Sequence, residues 1–183
     1  MERRTWRFAV LGLLAAAVCA GGASYAGAAL LPAAARPETQ PLFIIERSKN
    51  ANVVHYDARL DADGRLHPKE PVVAYWIMLA EDGRREDLNW IEKQKAYGFD
   101  IQPDPSVNGY RLTVVSSPDR PITVKKAGEV VRAEMIIDGR PAVLEKMYIN
   151  STDGLTGPKV HYIELHGKDI KTGEKRLEKI VAN

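Results

Sequence analysis

Four histidines, His55, His67, His161 and His166, are the side chains whose types suit metal or proton chemistry near neutral pH. His161 and His166 stand five residues apart, so a regular strand points them to opposite faces and they cannot share a metal ion unless a bulge intervenes. Glu164 shares a face with His166. A hydrolase built on His161, Glu164 and His166 therefore requires at least two of them to converge in a cleft. The plainer reading makes His55 and His161 partly exposed strand residues and His67 a loop residue before Pro68.

Other reactive patterns fall short of their chemistry. "DADGRLHPKE" begins like a calcium loop, but with Asp61 first the glycine comes fourth instead of sixth, and Val72 occupies the place of the bidentate carboxylate. "GLTGPK", starting at Gly154, lacks the glycine spacing of a phosphate loop, has no hydroxyl after Lys159, and carries Pro158 where an N–H should face phosphate. No nucleophile elbow surrounds any serine. Asn150, Ser151 and Thr152 form a glycosylation sequon, which has meaning only in a eukaryotic source. No motif calls for a cofactor.

What remains could bind without reacting. The tripeptide "VHY" occurs twice, and if Tyr56 and Tyr162 both face inward, each phenol needs a partner from a ligand, from Glu164 or Arg132, or from water. Tyr75 and Trp76 would line a cavity or fill a core. Arg47, Lys49 and Asn50 fall at the tip of an expected hairpin, with residues 49–52 as its turn. They make either an anion clamp at a barrel mouth or a solvated turn.

The elements that must position these groups are mostly strands. Hydrophobic alternation, mostly of period two, marks residues 42–47, 53–60, 110–116, 121–126, 130–137, 142–149, 159–165 and 176–181, and the run "VVAYWIML" after Pro71, apolar on both faces, reads as a central strand covered on each side. Asp138 followed by Gly139 predicts a tight hairpin. One helix of about three turns is expected in "REDLNWIEKQKAYG", capped by Asp87 and ended by a left-handed Gly98, between the third and fourth strands. About eight or nine antiparallel strands with one helix point to a mainly β domain, a closed or nearly closed barrel first and a sandwich second.

At the amino terminus Arg3, Arg4 and Arg7 precede an uncharged apolar block and then small residues, the order of an export signal. Cleavage is expected after Ala26, with Ala20 and Ala28 as alternatives. General export is favoured over the twin-arginine route, because the usual Phe after the arginines is missing. An uncleaved signal would leave a membrane anchor. The expected organisation is a signal over residues 1–26, an Ala/Pro leader over 27–40 and one domain over 41–183. Removing three arginines and one glutamate with the signal leaves 23 basic and 23 acidic residues from 26 and 24, so the mature chain is charge-balanced and a poor fit to nucleic acid. The single cysteine, Cys19, leaves too, so no internal disulfide forms and stability rests on the core.

The segments "RSKNANVVHYDA", "PVVAYWI", "REDLNWIEKQKAYG" and "VHYIELHGKD", in that order, resemble a bacterial domain-of-unknown-function family, number four-eight-three-three. The resemblance implies an exported or envelope-associated domain and brings no activity or ligand. The resulting expectation is a periplasmic or secreted domain, without catalysis, that binds a small or lipidic ligand or an envelope protein near Arg47, Lys49, Asn50, Tyr56, Tyr75, Trp76, His161 and Glu164. The alternatives are a periplasmic hydrolase using the histidine and glutamate set, and a purely structural envelope module.

Overall fold

The computed structural model describes residues 38–154 and 157–182. The expected signal, most of the leader and the centre of the "GLTGPK" stretch lie outside the described residues. The described chain forms eleven strands: β1 (Thr39–Arg47), β2 (Asn50–Arg59), β3 (Val72–Ile77), β4 (Arg85–Asp87), β5 (Phe99–Asp104), β6 (Gly109–Val114), β7 (Ile122–Ala127), β8 (Val130–Ile137), β9 (Arg140–Gly154), β10 (Gly157–Asp169) and β11 (Lys175–Val181). One short helix, α1 (Trp90–Lys95), lies between β4 and β5.

These strands make one curled sheet, a half-barrel, in the order β4-β3-β2-β1-β9-β8-β7-β6-β5, with β10 and β11 extending from β9. The mainly β expectation holds at that level. The all-antiparallel expectation does not, because β1 and β9 run parallel, pairing Ile44 with Lys146 through Arg47 with Ile149. That contact joins residues a hundred positions apart and leaves no periodic trace in either strand. The helix position is also corrected. Arg85–Asp87 forms a strand of its own against Tyr75, Trp76 and Ile77, so α1 follows a fourth strand. It is capped by Asn89, not Asp87: the Asn89 side chain accepts from the Glu92 N–H at 3.0 Å while the Glu92 carboxylate accepts from the Asn89 N–H at 2.9 Å.

Strand alternation builds the core. On β2, Val54, Tyr56 and Ala58 are fully buried on one face, while His55, Asp57 and Arg59 take the other. Phe43, Ile45, Leu112, Ile122, Val124, Leu144 and Leu165 fill the same core from other strands. The β8–β9 hairpin forms as its sequence predicts, with Asp138 at φ 51° and Gly139 at φ 69°, the two left-handed residues that a twist-matched two-residue turn demands. At the other hairpin Arg47 pairs with Asn50, so Ser48 and Lys49 alone make the turn, and the expected turn over residues 49–52 is shortened to two residues because Asn50 already pairs in the ladder.

One side of β9 is shared by two strands, β8 at its start and β1 further on. Where β1 and β8 diverge, a side chain bridges them. The Gln40 amide donates to the Val131 carbonyl at 2.8 Å and accepts from the Val131 N–H at 3.0 Å, standing in for a missing strand residue. Val131 is buried, so Gln40→Ala leaves an N–H and a C=O without partners. The expected cost is about 1 to 3 kcal/mol, read as a lower urea midpoint at unchanged slope.

Candidate functional site

The half-barrel is open along one seam, and the cause is a single buried leucine. β4 pairs with β3 only as far as Asp87 opposite Tyr75. The next residue, Leu88, is 4% exposed and turns into the core, which pulls the chain away from β3. Asn89 then starts α1. The chain returns through Gly98, where any side chain is excluded because a Cβ would stand 1.8 Å from the Lys93 carbonyl oxygen. That close approach, not a left-handed backbone, is what the glycine serves. As a result Val72, Val73 and Ala74 have a strand partner on the β2 side alone.

A groove of about 610 Å³ occupies the gap, within the size range of ligand sites. Its apolar wall is Val72, Val73, Ala74, Leu88 and Phe99, and its polar rim is Glu38, Arg59, Glu70, Arg85, Asp87 and Lys93. Half of the rim charge is spent locally. Arg59 is ion-paired with Glu70, and the Arg85 guanidinium lies 3.6 Å above the ring of Tyr75. Beside this rim, on the face of β2 and β3 away from the core, the Tyr75 hydroxyl donates to Asp57 Oδ2 at 2.6 Å, and His55 stacks on the same ring. Asp57 is buried, and its Oδ1 has no hydrogen-bond partner among the described residues.

This arrangement holds the Tyr75 phenol neutral. Burial first, then the hydrogen bond and charge of Asp57, push its pKa up to about 12 from 10.0, with Arg85 opposing. Because the folded value lies above the unfolded one, the stabilisation is complete below the ordinary phenol range and is lost as pH rises to about 12. Ultraviolet absorbance of phenolate should show a late-titrating tyrosine that Tyr75→Phe removes and Asp57→Asn shifts to lower pH. A Tyr75 titrating with the exposed tyrosines would contradict the geometry.

A second groove, of about 580 Å³, lies beside the β5–β6 turn and is lined by Leu66, Pro103, Asp104, Asn108, Tyr110 and Lys126 among others. Its polar groups are engaged at home: Lys126 donates to the Gly64 carbonyl at 2.9 Å, and Asp104 accepts from the Ser106 N–H at 3.1 Å. The seam groove, with an unpaired strand edge in its wall, is the better candidate.

The family model for a domain of unknown function, DUF4833, matches residues 43–179. The chain belongs to the DUF4833 family. No curated protein and no solved structure matches it. The DUF4833 match runs from β1 into β11 and takes in Val72 to Phe99, so the strands and helix bounding the seam belong to the family domain.

Within this DUF4833 domain the residues singled out from sequence occupy four places, not one. At the hairpin tip, Arg47 lies 4.6 Å from the Trp76 ring centroid and donates to Asn50 Oδ1 at 3.4 Å, with Lys49 exposed in the turn. Trp76 itself is 5% exposed and meets Tyr97 edge-on at 5.0 Å, so it fills the core. Tyr56 is in the core, its hydroxyl satisfied by the Tyr97 carbonyl at 2.5 Å, whereas Tyr162 sits on the other side of the sheet under Lys179. Tyr75, next to Trp76 in sequence, points to the opposite face and meets Asp57. On β10 a bulge at His161 takes it out of register, and its Nε2 meets Thr152 Oγ1 at 3.0 Å. Glu164 and His166 do converge, at 3.3 Å, with Lys179 3.8 Å from Glu164. Neither groove described above is lined by Arg47, Lys49, Tyr75, Trp76, His161 or Glu164.

Asp57, Arg85, Leu88 and Phe99 were not marked by sequence reasoning. The available signal was Asp57 itself, a carboxylate between Tyr56 and Ala58 in a strand otherwise reading as half-buried.

Proposed function

We propose that this DUF4833 chain is an exported, non-catalytic binding domain of the bacterial envelope that holds its ligand or partner in the seam groove between β3 and the β4–β5 connection. The amino-terminal run of arginines, apolar residues and small residues supports export. The observation that carries binding is the unpaired edge of Val72, Val73 and Ala74, standing in a ligand-sized groove with an apolar wall. The hairpin tip supports binding less well, because Trp76 is already covered by Arg47 and Tyr97.

Native mass spectrometry of the chain purified from its own envelope tests this. Wild type should carry an added mass or partner that Val73→Glu loses, since the substitution puts a charge into the groove at a half-buried position. A bare wild-type chain, or equal loading of the variant, would sink the reading. The Glu164–His166 contact favours a second reading, a hydrolase with His166 as general base. That reading requires turnover of ester or amide substrates that His166→Ala abolishes.

A further inference from the structure

Resting on the groove reading, we infer that the partner is an extended, uncharged stretch of polypeptide that adds as a strand to the free edge of β3. Among the described residues the open edges of β3, β4, β5 and β11 are not alike, and β11 carries Lys175, Arg176, Glu178 and Lys179 along its length. β5 is blunted by Pro103, which has no N–H to offer, and by Asp100 and Asp104. β4 consists entirely of charged residues, Arg85, Glu86 and Asp87. The unpaired part of β3, buried Val72 and half-buried Val73 and Ala74, has neither device: it is uncharged, two of its three residues are β-branched and none is proline, the kind of edge that natural sheets leave only where something covers it.

The chemistry of the slot selects its occupant. Main-chain donors and acceptors along the edge read a backbone, and the apolar wall accepts small or aliphatic side chains on alternate positions. Charges near the slot are of both signs, Asp87 and Glu38 against Lys93, with Arg59 and Glu70 paired to each other, so no polyanion or polycation is favoured. An acyl chain fits less well, because it would leave the strand edge unpaired in a groove it had dried out. A segment of about five residues is the ordinary length of one strand. Seated there it would narrow the seam between β3 and Phe99.

The test uses the purified full chain and a dodecapeptide selected on it from a random displayed library, with binding followed by fluorescence polarisation. N-methylation of the peptide should weaken binding roughly tenfold at alternate residues and leave the residues between them unaffected, because only every second N–H faces the edge. Ala74→Pro in the protein should give a comparable loss, because the bond from the Arg59 N–H to the Pro71 carbonyl sets a ladder in which Val73 pairs with β2 and the Ala74 N–H faces the edge; since that variant could fail to fold, the methylated peptides on the unchanged protein carry the decision. Failure to select any binder, a flat response to methylation, or dimerisation of the chain through residues 72–74 would each overturn strand addition. A retained small molecule that Val73→Glu loses, with no peptide binding, would overturn strand addition alone and leave the groove reading standing.

Discussion

Tyr56→Ala is expected to destabilise the domain by about 3 to 5 kcal/mol, the range for deleting a buried aromatic ring. Tyr56 is the largest fully buried side chain among the described residues. Its ring stacks on Phe43 at 4.4 Å and tilts against Phe99 at 6.0 Å, so it ties β1 and β2 to the strand that closes the far side of the seam. Its hydroxyl donates to the Tyr97 carbonyl just beyond α1, and burial, then the neighbouring Tyr97 phenol, raise its pKa far above the ordinary value. Tyr56→Phe separates the two contributions. Keeping the ring while orphaning the Tyr97 carbonyl should cost about 1 to 2 kcal/mol. Urea unfolding followed by near-ultraviolet circular dichroism measures both, and equal losses in the two variants would contradict this division.

Leu88→Ala is expected to cost about 2 to 5 kcal/mol for the same class of reason, a buried aliphatic side chain replaced by a cavity. Its second effect is more informative. Leu88 holds the β4–α1 connection away from β3, so its loss should loosen residues 88–98 and change the groove as well as the core. Binding in the groove should weaken in Leu88→Ala under conditions where the variant is still fully folded. A control core truncation on β9 in the middle of the sheet, Leu144→Ala, should cost comparable stability and leave binding unchanged. Binding lost equally in both would mean that stability alone, not the seam, governs it.

The parts of this fold that were legible in the sequence are those fixed by local physics. Asp138 and Gly139 specify a turn because few other residues tolerate two successive left-handed conformations, and the alternation of Val54, Tyr56 and Ala58 specifies a face because the strand period is two. β4 and β5 escaped detection because "RED" and "FDIQPD" carry charge and proline, which is how edge strands read when their sequences guard against further pairing. The parallel β1–β9 contact and the Gln40 bridge depend on segments about a hundred residues apart, where no local preference operates. Tyr75 and Trp76 cannot share one site, because neighbours on a strand face opposite ways, and the structure puts one against Asp57 and the other in the core. The seam groove was beyond sequence reasoning, since it depends on Leu88 leaving β4 for the core, a packing choice that no local pattern records.

Amide hydrogen exchange along the whole chain, alone and after addition of an extract of its own envelope, tests the seam most directly. Slower exchange at residues 72–74 and at Gly98 and Phe99, with residues 47–50 unchanged, is the expected result. Protection confined to the Arg47–Asn50 hairpin tip, or none anywhere, would contradict a binding role for the open seam.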